Sequence, residues 1–518
     1  MKMDLQTEQS IARNALSYDL LPYESKPIPQ SHPARLAAMA KIFGLESKPL
    51  ATARVLELGC ASGGNLVPMA LNHPMAEFVG IDISPKQVQA GRDRIQRLGL
   101  KNLTIRCESF SNFGPDEGKF DYIICHGVFS WVPQVLQDAI FRLCQNHLAS
   151  DGVAFISYNV LPGWRMLQTL RDAFHVALPK TAEGTDRVKE AAKLLGFLSE
   201  ASAAKTGYHQ ALKSIKDKFP KFSAAYVAHE YLEETNDPCL FSDFATRATQ
   251  YGLGFLAESE LQSMIVDQHG TAVAIEIRRR ANGDPIATEQ LLDLVSGRTF
   301  RQTLLVHQKR TDEINRDLEP DRLDGLHLEA EIGMRIENEG DEAKVTLVDG
   351  QAFWIKSQAM CVALQKFIAK LPSTSAIESL LPEGSEASDV KRGFRNLMMA
   401  GVVAPTIRPV FVINPAPLNP KATRIARADA ADHAAFTTNP KHEAIALEPA
   451  TWFLLHHMDG TRTQSELITD LAAEVRDGRI TLYEDGKEVS SIEKAVSFVE
   501  QHAVHLIDGL AKAGLLEA

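Results

Sequence analysis

The densest group of residues able to do chemistry lies in Val55-Leu56-Glu57-Leu58-Gly59-Cys60-Ala61-Ser62-Gly63-Gly64-Asn65. An apolar run of strand length leads into it and a helical stretch leads out, the context a nucleotide-binding turn requires. Gly59 and Gly63 let the backbone bend sharply and lie against a ligand that a side chain would hold off. A dinucleotide loop would often carry glycine where Ala61 stands, and Glu57 would repel a pyrophosphate. The same acid suits an ammonium group. Asp82 follows in Val79-Gly80-Ile81-Asp82-Ile83-Ser84-Pro85. It stands about 20 residues beyond Gly59, where a carboxylate can accept both hydroxyls of a ribose. Glu108 and Ser109 end a third apolar run and can meet an adenine amino group, with Phe110 beside the ring. An ammonium, a ribose and an adenine together describe S-adenosylmethionine. Cys60, Ala61, Asn65, Ile83, Cys125 and His126 complete the expected lining of its site.

Methyl transfer from that cofactor is an in-line displacement, so a protein mainly positions a deprotonated nucleophile and excludes water. Ligands bind outside the carboxyl ends of parallel strands. The acceptor should therefore meet His126-Gly127-Val128-Phe129-Ser130-Trp131 after the fourth run and Ser157-Tyr158-Asn159 to Trp164 after the fifth. Tyr18, Trp131, Tyr158 and Trp164 are the candidates for an aromatic channel, and His126 for a base. Aromatic faces attract cations by ~0.5–2 kcal/mol each, which suits a lysine side chain and its methylated products. Lysine must first lose its proton, and with a reference pKa of ~10.4 it gains from desolvation or a nearby acceptor. Ordinary packing is the alternative role for each aromatic, and strand-end hydrogen bonding for His126. No N-P-P-Y-type tetrapeptide follows the fourth run, which disfavours planar amino groups such as adenine N6 as acceptors. There is no acidic cluster for a catechol-type magnesium site, and the six cysteines show no CxxC or Cys/His ligand spacing, so no metal is expected.

These residues need a parallel sheet to bring them together. Arg54–Leu58, Glu77–Ile81, Leu103–Cys107, Phe120–Cys125 and Val153–Tyr158 read as strands; Gly64–Leu71, Lys86–Leu98 and Gln134–His147 read as helices. The expected fold is α/β: a Rossmann-like domain over 1–168, a mostly helical domain over 169–297 whose one clear strand signal is Thr271–Arg278, and an α+β module over 298–413. A proline-rich linker over 414–429 and a second module over 430–518 follow. Leu397-Met-Met-Ala400-Gly401 and Leu510-Ala-Lys-Ala513-Gly514 close the two modules alike. They read as a faint repeat of two winged-helix-like units, each with a helix ending at a left-handed glycine.

A chain of 518 residues needs more than one core. Its net charge of −11 argues against a broad nucleic-acid surface. No apolar stretch approaches the ~20 residues of a membrane span, and Met1–Ser10 lacks the apolar core of a signal peptide, so a cytoplasmic location is expected.

Ser17-Tyr18-Asp19, Leu56 to Cys60, His126 to Pro133, Ser157-Tyr158-Asn159 and Pro162-Gly163-Trp164 together resemble bacterial class I methyltransferases that carry a methyltransferase regulatory domain. The rickettsial protein-lysine methyltransferases acting on an outer-membrane protein belong to that group. His229-Glu230-Tyr231-Leu232, Asn236-Asp237-Pro238, Phe241 to Phe244, Gly252 to Glu258 and Phe300 to Leu305 resemble the regulatory domain itself. Met458 to Thr463 is similar to small peptide-binding modules of the pyrroloquinoline-quinone biosynthesis type. The resemblance implies a protein or peptide substrate carrying lysine. Methylation of a natural product or modified peptide, and cofactor-dependent interaction without catalysis, are the alternatives.

Overall fold

The computed structural model describes residues 19–22, 24–179, 183–339, 342–384, 386–484, 487–489 and 491–517. The chain divides into two compact units. One is centred on residues 39–316 and takes in the stretch up to Lys26; the other comprises residues 27–38 and 317–518.

The first unit is built on seven strands: β1 (Arg54–Leu58), β2 (Glu77–Asp82), β3 (Leu103–Cys107), β4 (Phe120–Cys125), β5 (Leu148–Asn159), β6 (Leu253–Glu258) and β7 (Phe300–His307). Their order is β3-β2-β1-β4-β5-β7-β6. The first five run parallel, and β7 lies antiparallel to both β5 and β6. Leu58 pairs with Ile81 on one side and Cys125 on the other, so the loop after β1 emerges between the ends of β2 and β4. Strands buried on both faces read as continuous apolar runs, which is why β1 and β4 are so plain in the sequence. Leu56, Ile123, Phe141, Ile156 and Phe244 belong to one core around them. Ser84 caps the helix Pro85–Arg97 by accepting from the Gln87 N–H, and Pro85 opens that helix with its φ already set.

Between β5 and β6 the chain forms helices Trp164–Ala177, Gly184–Ala201 and Gly207–Lys218. A short helix, Ala224–Val227, then runs into a π-helical turn, Ala228–Leu232. This helical region has its own core of Leu170, Phe174, Leu195, Phe219 and Tyr231.

Two expectations need correction. Thr271–Arg278 is not a strand but the start of a helix, Thr271–Ala281. Its apolar residues alternate as in a strand. Yet Ala274, Ile277 and Ala281 share the buried helical face, while Glu276 pairs with Arg279 and Arg280 one turn on. The boundaries expected at 168 and 297 cut through one sheet, because β6 and β7 come from beyond them and finish the fold begun by β1–β5. β6 is buried along its whole length, and a short apolar run of that kind carries no period to read.

In the second unit, Arg335–Glu339, Glu342–Thr346 and Ala352–Ile355 form an antiparallel sheet, and His327–Glu329 lies between Ser375–Ala376 and Ala404–Thr406 in another. Helices Gln358–Lys370 and Ala387–Met399 accompany them. The C-terminal part packs helices Arg424–Ala431, Pro449–His457, Gln464–Arg476 and Ile492–Lys512 around Leu454, Leu471, Ala503 and Leu515. The two similar helix ends share one geometry. Gly401 and Gly514 sit at φ 76° and 80°. Val402 donates back to the Leu397 carbonyl and Leu515 to that of Leu510.

Candidate active site

The loop after β1 turns back over its neighbour, with the Gly59 and Cys60 N–H groups donating to the Ile81 carbonyl at 2.8 and 3.1 Å. Gly59 has φ +71°, and a Cβ there would lie 2.4 Å from Val128 Cγ2. Gly63 has φ +76°, and its Cβ would meet Ile105 Cδ1 at 2.7 Å. Both positions therefore demand glycine for conformation and for space. Cys60 is buried with its sulfur beneath Gly80, where a Cβ would meet it at 2.6 Å, so it offers a ligand only its backbone.

Glu57 is buried at the base of this turn, and its Oε1 accepts from Asn65 Nδ2 at 2.9 Å. Its Oε2 is equally buried and has no partner. Burial pushes the Glu57 carboxyl up to about 8 against the Asn65 bond, with the Asp82 carboxylate adding to the rise. Asp82 ends β2. Its Oδ2 accepts from the Ala61 N–H at 2.8 Å and its Oδ1 from the Ser84 N–H at 2.9 Å. Burial raises its carboxyl above the usual range, and these N–H groups oppose the rise. Ala61 holds φ +47°, a left-handed conformation that aims its N–H at Asp82.

Ile83 is half-buried beside Asp82. The Glu108 N–H donates to the Asp82 carbonyl at 2.9 Å, which ties the end of β3 to the end of β2. Ser109 caps the turn Phe110–Asn112, and Glu108, Ser109 and Phe110 are all half-buried there. The stretch from Asp19 to Ser25 crosses the same loop. Ser25 Oγ accepts from the Gly64 N–H at 2.7 Å, Ser84 Oγ donates to Asp19 Oδ1 at 2.5 Å, and the Leu21 carbonyl meets His229 Nε2 at 2.7 Å.

At the ends of β4 and β5 the expected acceptor residues separate. Trp131 and Trp164 come together edge to face with ring centroids 6.3 Å apart. The Arg171 guanidinium lies 5.4 Å from the Trp131 ring centre, held by the Glu230 carbonyl at 2.7 Å and by the Glu233 carbonyl. Tyr158 does not join them. Its ring is fully buried, stacked on Phe244 at 4.0 Å, and its hydroxyl bonds Thr303 Oγ1 at 3.0 Å, so it belongs to the core under the site. Cys125 is likewise enclosed in that core, and burial holds its thiol well above the ordinary value. His126 is half-buried between Phe155 and Phe300, each 6.1 Å away, and its Nδ1 has no partner. Burial lowers it to about 4, so it stands neutral at physiological pH and makes a poor acceptor for a lysine proton. Tyr18 lies outside the described residues.

Asn159 and Asn236, which the sequence analysis quoted without a role of their own, have side-chain atoms that are buried without partners. The available signal for Asn159 was its place at the tip of β5, one residue beyond Tyr158 and so on the opposite face of the strand. Asn236 has no signal beyond its place in the Asn-Asp-Pro run.

Three families match the chain. Residues 50–211 match a methyltransferase domain, 223–307 a predicted methyltransferase regulatory domain, and 419–515 the C-terminal winged helix domain of PKMT. An uncharacterised protein of Rickettsia prowazekii, RP789, is 30% identical over 96% of this chain and 93% of its own length. A second protein of that organism, RP028, is 36% identical over 45% of this chain and 94% of its own length. The solved structure of PKMT2 from Rickettsia typhi in complex with AdoHcy is 26% identical, with a TM-score of 0.84 over 96% of this chain and 100% of that one. The chain belongs to the class I S-adenosylmethionine-dependent methyltransferases that carry a methyltransferase regulatory domain and a PKMT-type winged helix.

Proposed function

We propose that this methyltransferase acts on the side-chain amine of lysine in a protein substrate. The observation that carries the reading is the edge-to-face pair of Trp131 and the buried Trp164 at the carboxyl ends of β4 and β5, aromatic rings of the kind that hold a cationic or methylated amine. The likeness to PKMT2 along the whole chain supports it.

The residues present fit the cofactor. The idle, buried Glu57 Oε2 is an acceptor for its ammonium, Gly59 and Gly63 hold the left-handed turn beside it, and Asp82 is the carboxylate assigned to its ribose. Ile83, Glu108, Ser109 and Phe110 line the adenine side in this assignment. When bound, S-adenosylmethionine supplies a methyl group already activated on a sulfonium. The protein then has to hold the amine in line, keep water out and lower the cost of losing the lysine proton. The Arg171 guanidinium against Trp131 contributes to the last task, because a neighbouring positive charge favours the neutral amine. His126, neutral and among aromatic rings, serves as wall rather than as base.

A cytoplasmic setting belongs to the same proposal, supported by the free state of all six cysteines. The test is incubation of the pure protein with labelled S-adenosylmethionine and cell extract, followed by peptide mass spectrometry. Methyl-lysine in protein is the expected product. Label confined to RNA or small molecules would overturn the lysine assignment.

A further inference from the structure

A strap of chain that carries Asp19, Leu21 and Ser25 touches both loops that form the cofactor site. On the side of the glycine turn, Ser25 Oγ accepts from the Gly64 N–H at 2.7 Å, one residue beyond Gly63. On the side of β2, Ser84 Oγ donates to Asp19 Oδ1 at 2.5 Å, and Lys86 Nζ donates to the Asp19 carbonyl at 3.2 Å. The N–H of that same Ser84 holds Asp82 Oδ1. Gly64 shows how close the passage is. Its φ is not left-handed, yet a Cβ there would run into the Ser25 carbonyl, so the crossing chain is what demands glycine at this position.

A further contact reaches the strap from a distant part of the chain. His229 is buried and stands 208 residues from Leu21 in sequence, so their meeting is a product of the fold. Its Nε2 lies 2.7 Å from the Leu21 carbonyl and its Nδ1 lies 2.9 Å from Glu233 Oε1. A carbonyl can only accept, so Nε2 carries the hydrogen in the first bond, and Glu233 on the other ring nitrogen sets the direction of the ring. His229 belongs to the π-helical turn Ala228–Leu232, a rare form that recurs at functional sites. Tyr231 and Leu232 of the same turn are part of the core of the helical region. Arg171 donates to the Glu230 carbonyl at 2.7 Å and to the Glu233 carbonyl, which fixes the turn further.

We propose that His229 is a positioning residue that keeps the strap closed over the cofactor turn, so that the region matched as a regulatory domain sets how long S-adenosylmethionine and its product stay bound. This goes beyond the choice of acceptor and stands whether or not that acceptor is lysine. The strap's bonds to Gly64, Ser84 and Lys86 are part-buried or exposed, and water can replace them at little cost. His229 ties the same chain to a packed core. Without it the strap becomes a locally unstable segment that opens while the rest of the domain stays folded.

The experiment uses the full chain and labelled S-adenosylhomocysteine, chased with unlabelled compound to read the dissociation rate. His229→Ala should raise that rate by about 3- to 10-fold, the worth of one hydrogen bond, with the bound stoichiometry unchanged. His229→Gln, whose amide still carries a donor for the Leu21 carbonyl, should recover part of the loss. His229→Leu, which fills the space without a donor, should behave like the alanine variant, whereas a role in packing alone predicts the reverse order. Asp19→Ala, on the strap itself, should also speed dissociation. Combined with His229→Ala, it should add less than about twofold to the faster single variant, because one strap is lost only once. Parent-like dissociation in Asp19→Ala or in a folded His229→Ala overturns the proposal, as do effects that multiply in the double variant. If His229→Ala does not fold, Asp19→Ala and the comparison of glutamine with leucine at 229 decide it alone.

Discussion

Asn65 Nδ2 donates to Glu57 Oε1 at 2.9 Å and holds that carboxyl so that its other oxygen stays buried and idle. Asn65 stands on the chain just before the helix Leu66–Asn72, so the turn that follows Gly59 also fixes the acid that precedes it. Raised to about 8 by burial, Glu57 is mostly protonated at neutral pH in the empty chain.

The first prediction concerns stability. Below pH ~4.5 folded and unfolded chains both hold the Glu57 proton. Between there and about 8 only the folded chain keeps it, so native stability falls as pH rises through that window and levels off above it. Glu57→Gln removes the ionisable group while keeping an oxygen for Asn65. Its melting temperature should therefore exceed that of the parent at pH 8 and match it at pH 5, a gain on the order of 1–3 kcal/mol. Equal melting curves at both pH values would show that Glu57 is not desolvated.

The second prediction follows from the same group. An ammonium partner favours the ionised carboxyl, so the affinity of the parent for S-adenosylhomocysteine should rise between pH 6 and 8. In Glu57→Gln it should be weaker by about tenfold or more and nearly flat over that range, because a charge-assisted bond is lost. Isothermal calorimetry at three pH values checks it.

The parts legible in the sequence were those where local and global demands agree. β1, β3 and β4 and the helix Gln134–His147 follow from apolar runs bounded by turns, and the Glu57, Gly59, Gly63 and Asp82 set carries its chemistry in its spacing. β6 and β7 were hidden because β7 pairs with β5 far upstream and β6 joins the sheet only through β7, and no local pattern reports a long-range pairing. Tyr158 shows a subtler limit. At a strand tip one residue decides between opposite faces, and the face that takes Tyr158 is filled by Phe129 and Phe244. The role of aromatic composition was visible, but its direction was not.

The third prediction tests the tight turn. Gly59→Ala must hold φ near +71° and press a methyl to within 2.4 Å of Val128 Cγ2. The left-handed backbone alone costs about 1–3 kcal/mol, and the clash displaces Val128 or the loop. Cofactor affinity should drop by about tenfold or more. Adding Val128→Ala should recover only the steric share, which thermal melts and calorimetry on the single and double variants can separate.

The fourth prediction concerns the tryptophans. Trp131→Ala and Trp164→Ala should raise KM for a lysine acceptor by about 2- to 30-fold each, the range that corresponds to ~0.5–2 kcal/mol per cation–aromatic contact. Cofactor affinity should be unaffected. A phenylalanine at Trp164 should sit between the two. Steady-state kinetics on peptide acceptors settle this, and an unchanged KM in both alanine variants counts against the aromatic surface.

The last prediction leaves the site for what supports it. Arg301, with no exposed surface, bonds Glu258 at 2.6 Å, Asp293 at 2.8 Å and Glu289 at 3.0 Å, and Glu258 in turn accepts from Thr303 beneath Tyr158. One arginine on β7 thus clamps β6 to the helix Pro285–Ser296, and its guanidinium lies 4.0 Å from the Phe241 ring centre. Burial already pushes Glu289 up to about 7 in its presence. Arg301→Met keeps much of the volume but strands three buried carboxyls, a loss of about 3–5 kcal/mol near pH 8. The stranded acids can escape by taking up protons, so the folded variant binds more protons than its unfolded chain. Its deficit should therefore shrink as pH falls toward 5. Removing the acids along with the arginine, as Glu258→Gln, Glu289→Gln and Asp293→Asn in the same chain, should restore most of the stability. Denaturant melts at pH 5 and 8 give the answer, and a deficit that does not depend on pH would mean that Arg301 matters for its packing and not for its charge.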